Sequence, residues 1–466
     1  MSFPAYPNYR ETGIEWLGIL PSHWAISRIK FDSLVKARVG WHGLKSDEFT
    51  DEGPYLVTGS DFKGKTIDWR NCYHCTEERY DQDQNIQLSE GDLLITKDGT
   101  IGKLMLVTDL PGPATLNSGI FVVRPETSSY ITAFYYWMLQ SSVFYDFIAV
   151  RQTGSTISHL YQETFGNLPY GLPPLQEQTQ IARFLDHETA KIDALIREQK
   201  RLIELLQEKR QAVISHAVTK GLDPNVPMKD SGVEWLGEVP AHWIVARIKN
   251  FARIESGHTP DKKKEEYWVD CDIPWVSLND SKQLKKADYI ADTSTKVNDL
   301  GIANSSARLL PKEAVVFTRD ASIGLSAITT KPMAVSQHLI AWLCAGEKLV
   351  PEYLLLIFYA MESEFERYTF GATIKTIGMD DVRSLTAAFP PMEEQKQLVA
   401  WAFRKKETLR AGLDAAEKTI LLLEEHRSAL ISAAVTGKID VRNWQPPTDE
   451  SAFDEEVHTV GMEATA

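Results

Sequence analysis

Two stretches of the chain carry apolar residues on a seven-residue beat. In the first, running from Gln176 to about Thr219, the beat falls on Leu185, Ile192, Leu206 and Val213. In the second, Ala402, Leu409, Ala416, Leu423 and Leu430 keep the same beat, with Leu413 and Ile420 as a second row. Such heptads predict helices that pair along a coiled-coil seam. Each helix would hold about 40–45 residues and reach roughly 60–68 Å. Pro173–Pro174 and Pro390–Pro391 mark the starts, since proline is tolerated in a helix's first turn, and Gly221 and Gly437 punctuate the ends. The stretches between mix two periods. "GDLLITKDGTIGKLMLV" and "EAVVFTRDASIGLSAI" read as strand–turn–strand, whereas "SSYITAFYYWMLQSSVFYDFIAV" and "PEYLLLIFYAMESEFERYTF" read as aromatic-rich helices packed on a sheet.

These patterns occur twice because the chain repeats itself. "GIEWLGILPSHWAISRIK" (13–30) returns as "GVEWLGEVPAHWIVARIK" (232–249), and "PPLQEQTQIARFLD" (173–186) returns as "PPMEEQKQLVAWAF" (390–403). "EKRQAVISHAVTKGLD" (208–223) returns as "EHRSALISAAVTGKID" (425–440). The unit is far longer than a solenoid repeat. Its ends match while its middles diverge, as expected for one frame carrying two different reading heads. The expected organisation is a mixed α/β (α+β) protein with a pseudo-twofold internal repeat. Residues 1–173 and 221–390 form globular heads, 174–220 and 391–438 form antiparallel helices, and 439–466 form an acidic tail without order.

Composition narrows the function. The 466 residues, 43% of them apolar, suffice for two or more cores. No run approaches 18 apolar residues and no apolar leader is evident, which predicts a soluble, cytoplasmic protein. A net charge of −14 argues against wholesale coating of nucleic acid but not against a local basic footprint. Four cysteines make no disulfide scaffold, and Cys72 and Cys75 lack the second pair that zinc would want.

Two motifs suggest enzyme chemistry. "GSDFKGKT" (59–66) fits a phosphate-binding loop, yet "TIDWRNCYHC" after it alternates like a strand where that loop needs a helix. "NLPY" (167–170) is similar to the motif by which N-methyltransferases hold an amino group, but no G-x-G cofactor loop precedes it. "DGTIG" (98–102) and "DASIG" (320–324) read as tight turns that either present Lys97 or Arg319 to a phosphate or serve only as hairpins. Other basic residues cluster beside aromatics: Lys36, Arg38, Lys63 and Lys65 in the first middle, and Lys262, Lys263, Lys264, Lys282, Lys285 and Lys286 in the second. Such clusters suit phosphate contact and base stacking, or are solvated surface.

The twin motifs "TGIEWLGILPSHW" (12–24) and "SGVEWLGEVPAHW" (231–243), with "LPPLQEQ" (172–178), "PPMEEQ" (390–395) and the helix ending "EKRQAVISHAVTKG", carry a family resemblance. Over residues 10–440 the chain resembles the specificity subunit of a type I restriction–modification enzyme. The resemblance implies two target-recognition domains, each reading half of a split sequence in double-stranded DNA. It also implies two antiparallel helices gripped by two methyltransferase (modification) subunits, with motor/nuclease subunits completing the complex. S-adenosylmethionine, ATP and magnesium would then belong to the partners, and this chain would bind none of them and catalyse nothing. A coiled-coil adaptor with protein-binding heads, or a nucleotide hydrolase acting through 59–66, stays open as an alternative.

Overall fold

The computed structural model describes residues 3–38, 43–63, 66–151, 159–370 and 375–446. The chain folds into two units, one made of Met1–Gln199 with Lys418–Ala466 and the other of Lys200–Glu417. Each unit contains part of both long helices, Leu175–Thr219 and Met392–Val435.

The start of each long helix is held by its own glutamine and glutamate. Gln178, fully buried, donates its amide to the carbonyls of Ser129 and Pro173 (both 2.8 Å) and accepts from the Ile131 N–H (2.9 Å). Gln395 repeats this with Lys348 (3.0 Å), Pro390 (2.9 Å) and the Val350 N–H (3.0 Å). Glu177 accepts from the indole of buried Trp24 (3.0 Å) and the Tyr6 hydroxyl (3.0 Å), and pairs with His23 (2.7 Å). Glu394 does the same for Trp243 (3.0 Å) and His242 (2.8 Å). The repeated "HW" and "EQ" motifs are therefore the two halves of one lock.

Within each unit the helices meet antiparallel. In the first unit, Ile181, Leu185, Ile192 and Ile196 share a core with Leu430, Ile431, Ala434 and Val435, while Ile420 and Leu423 pack half-buried at its edge. In the second, Ile214, Ala217 and Val218 share a core with Leu398 and Ala402. Leu206 lies against Gly412, 3.3 Å from the place a Cβ would occupy, and Leu409 and Leu413 are half-buried. Val213 is only half-buried, and the buried position is Ile214. A straight helix drifts about 20° per heptad, so four heptads after Leu185 the inward direction has moved on by almost one residue.

The divergent middles repeat one topology. The first unit has a four-stranded antiparallel sheet in the order Leu104–Leu106, Leu93–Thr96, Ile120–Pro125, Ser33–Lys36. The second has Ser326–Thr329, Val315–Thr318, Leu339–Cys344, Ala252–Ser256 in the same order, extended at one edge by a parallel strand, Tyr289–Ile290. In the first unit the helix Thr132–Leu139 buries Phe134, Tyr135 and Trp137 in the shared core; in the second, Pro351–Ala360 buries Tyr353, Leu354, Leu356 and Phe358. A small second sheet sits in each, with Ala114–Leu116 parallel to Thr50–Val57, and Ala334–Val335 parallel to Ile273–Val276.

The ends of the long helices close the same seam. Gly437 takes φ +67°, and a Cβ there would meet the Pro21 ring at 2.4 Å. The Tyr9 hydroxyl donates to the Gly437 carbonyl (2.9 Å), and the Asp440 N–H to that of Pro4 (2.7 Å). Glu177→Ala is expected to destabilise the first unit by about 1–3 kcal/mol, because it strands a buried indole N–H. Urea unfolding followed by tryptophan fluorescence measures it; an unchanged midpoint would show that the lock carries no stability.

Candidate nucleic-acid interface

The D-x-x-I-G turns have the same construction in both units. The Thr96 hydroxyl donates to the Thr100 carbonyl (2.5 Å) and accepts from the Lys103 N–H (2.9 Å). Thr318 does likewise with Ser322 (2.5 Å) and Leu325 (2.9 Å). Gly102 and Gly324 take φ +86° and +88°, with Phe144 and Phe365 packed so close that a Cβ would fall within 3 Å of either ring. The shared glycine is thus fixed by an aromatic helix packed on the hairpin.

The cations before these turns are largely enclosed. Lys97 is buried, with its ammonium 3.0 Å from Asp98 and 5.8 Å from the Phe121 ring. The Arg319 guanidinium is three-quarters buried and lies 3.8 Å from Asp320. Arg38 is also internal, at 3% exposure: it donates to the carbonyls of Leu116 (2.9 Å) and Arg79 (3.3 Å) and to the Thr115 hydroxyl (3.1 Å). Burial pushes its guanidinium below the usual range, opposed in part by nearby acids. Arg38 and Lys97 thus leave the set of DNA-facing candidates, because their donors are spent inside the fold.

The remaining candidates divide between the units. Lys36 is half-exposed in an open cleft of mixed charge with Lys30, Glu126 and Glu163. Lys63 is exposed and pairs with Asp68 (2.6 Å). Lys65, like Trp41 and His42, lies outside the described residues. In the second unit Lys262 and Lys263 are exposed, as is Lys264, whose ammonium donates to the Tyr267 hydroxyl (3.1 Å). Lys282, Lys285 and Lys286 stand exposed on the short helix Ser281–Lys286. Lys285 and Lys286 share a narrow cleft of about 50 Å³ with Arg210, Tyr359 and Lys406. Burial lowers the Lys406 ammonium while Asp288, its ion-pair partner, raises it.

The enzyme-like motifs find structural roles. Thr58 and Asp61 close a turn through the Asp61 carboxylate (2.7 and 2.9 Å), and Phe62–Lys63 pairs antiparallel with Thr66–Ile67. A strand therefore stands where a phosphate-binding loop needs its helix. Tyr170 of "NLPY" is fully buried and donates to Asp32 (2.7 Å), so it cannot face a target base. Cys72 and Cys75 are buried, and burial, then Asp61, pushes the Cys72 thiol up to about 12. Among the described residues no group of three or more potential ligands is placed to hold a metal.

Two groups of interest escaped sequence reasoning. His159 pairs through Nδ1 with Asp98, and His338 pairs with Asp320 (2.7 Å). The sequence separations are 61 and 18 residues, so no spacing signals the pairs.

One frame used twice, with two differently surfaced heads, defines a modular recognition protein. A family model described as the type I restriction modification DNA specificity domain matches residues 30–205 and again 240–401, and the chain belongs to that family. A Methanocaldococcus jannaschii protein, named as the specificity subunit of the type I restriction enzyme MjaX, is 22% identical over 452 residues, 95% of this chain and 99% of its own. The EcoBI specificity subunit of Escherichia coli is 24% identical over 426 residues, 86% of this chain and 83% of its own. A solved chain from a study of complex assembly and conformational transition of the type I R-M system superposes with a TM-score of 0.69. It is 17% identical, and the match covers 89% of this chain and 98% of that one.

Arg38→Ala is expected to lower stability by about 1–3 kcal/mol, the cost of stranding its buried acceptors. The salt dependence of DNA binding should not move, since no phosphate contact is lost. Thermal unfolding and binding titrations at several salt concentrations check both halves of this expectation.

Proposed function

We propose that the chain is the DNA-reading subunit of a type I restriction–modification complex, each unit reading one half of a bipartite site in double-stranded DNA. The observation that carries this reading is the double match to a DNA specificity domain, on two units that share a topology but not a surface. Backbone grip falls to the lysines that reach solvent: half-exposed Lys36 and exposed Lys63 in the first unit, and Lys262, Lys263, Lys264, Lys282, Lys285 and Lys286 in the second. Phosphate contacts hold register and bases specify, so these side chains set affinity and its salt dependence.

The chain performs no chemistry of its own in this reading. S-adenosylmethionine serves the methyltransferase subunits, and ATP and magnesium serve the motor/nuclease subunits. The long helices carry the docking surface. Leu195, Leu202 and Leu205 are 46%, 41% and 43% exposed along one face of the first long helix, and Leu421 and Leu422 are exposed on the second. In this reading these leucines belong to an apolar patch that the modification subunits cover. Among the described residues no helix is long and apolar enough to cross a membrane; in this reading a subunit that works on the cell's DNA works in the cytoplasm.

Replacing residues 31–172 with the matching middle of a relative is expected to change one half of the recognised sequence and leave the other intact. Methylome sequencing of a host carrying the complex reads this directly; a swap that altered both halves would show that the units do not read independently. Leu202→Glu with Leu205→Glu is expected to weaken co-purification of the modification subunit at least tenfold while unfolding is unchanged, since both side chains are already in solvent. Undiminished co-purification would move the docking surface elsewhere.

A further inference from the structure

The aspartate of each D-x-x-I-G turn holds a histidine, but the two histidines arrive by different routes. In the first unit His159 also forms the backbone bridge to Asp98; the residue bridging Asp320 in the second unit is Thr376. In the second unit His338 supplies the carbonyl that accepts from the Arg319 N–H (3.0 Å); the residue doing this for Lys97 is Gly119 (2.9 Å). The place filled by histidine in one unit is thus filled by threonine or glycine in the other, yet an imidazole reaches the carboxylate in both.

A staple for the turn does not account for this. In the second unit Thr376 already bonds Asp320 through its hydroxyl (2.8 Å), and main-chain bonds Ile377 N–H to Arg319 (3.0 Å) and Ala321 N–H to Lys375 (2.9 Å) complete the tie. In the first, the Leu160 N–H donates to the Lys97 carbonyl (2.7 Å). The ring side chains are 35% and 41% exposed. What the carboxylate does is orient the ring: Nδ1–H donates to it, and in the neutral ring Nε2 on the opposite edge is an acceptor, which in the second unit the Gln337 amide meets at long range. Beside each ring stands a second exposed side chain, and these differ. Tyr161 packs edge-on to His159 with centroids 4.6 Å apart, and the Gln337 amide lies 3.5 Å from His338 Nε2.

We propose that His159 and His338 are base-reading side chains, one per unit, each set by its aspartate and each paired with a different neighbour, Tyr161 or Gln337. The assignment rests on the reading that the units recognise DNA, and goes beyond it by naming the atoms. A neutral imidazole with Nε2 as acceptor matches the exocyclic amino group of adenine or cytosine in the major groove, and repels a phosphate oxygen. Asp98 and Asp320 are positioning residues.

The full chain, assembled with its modification subunits, is used to select from a duplex library randomised over two segments. With His159→Ala, discrimination at one base pair of one half-site is expected to fall roughly tenfold, as loss of a good base contact does. The other half-site, still selected, serves as the control for folding. His338→Gln should act on the second half-site alone, and Asp98→Asn should blur the same base pair as His159→Ala. Unchanged selection by the histidine variants overturns the proposal, and so does uniform weakening with a shallower salt slope, which marks a phosphate contact. A wild-type complex that selects no split sequence removes the DNA-reading function itself, and this assignment with it.

Discussion

The architecture depends on how each long helix begins. A helix leaves its first N–H groups without partners, and here the two prolines before each start have no N–H to offer. Side chains tie each start down instead: a buried glutamine satisfies backbone groups just before the head's aromatic-rich helix, and the glutamate before it holds a buried tryptophan. These bonds tie three distant pieces of sequence in each unit at one point. Because they use side chains that exist only in the repeated ends, the middles are free to differ. The frame is specific in its polar contacts, whereas the heads need only bury enough apolar surface on a common sheet.

That division also governs what the sequence reveals. The helices and the lock motifs are legible because their periodicity and their repetition are both carried by side-chain identity. The common sheet of the two heads is not, since "LLIT" and "VVFT" share only a pattern that any buried strand shares. Seam residues are legible until helical drift accumulates, which is why Val213 yields to Ile214. The candidate site is the least legible part. Arg38 and Lys63 are both basic residues near aromatics, but one is enclosed by three carbonyl and hydroxyl acceptors and the other is in solvent. The histidine–aspartate pairs are created by the turn's position in space, and no local pattern announces them.

The net charge of −14 is compatible with DNA binding for the same reason. Several cations of this chain neutralise acids within the fold, among them Lys97 with Asp98, Lys406 with Asp288 and Arg124 with Asp92. Lys262, Lys263 and Lys264, and Lys282, Lys285 and Lys286, stand exposed in the second unit whatever the total charge. Association is governed by the field at the approaching surface rather than by the sum.

The two units differ in one respect that matters before any DNA is met. The second is continuous in sequence, Lys200–Glu417, whereas the first needs Lys418 onward to finish a core begun near the N-terminus. On a ribosome, the unit encoded later is therefore the first able to close. Until Leu430, Ile431, Ala434 and Val435 emerge, Ile181, Leu185 and Ile192 lack these four core partners, and the tie between Tyr9 and Gly437 cannot form. Apolar surface waiting for a segment made much later is where chaperones and proteases act. The first head is thus the nascent chain's vulnerable half, and a premature stop before the final helix turns would forfeit it while sparing the second.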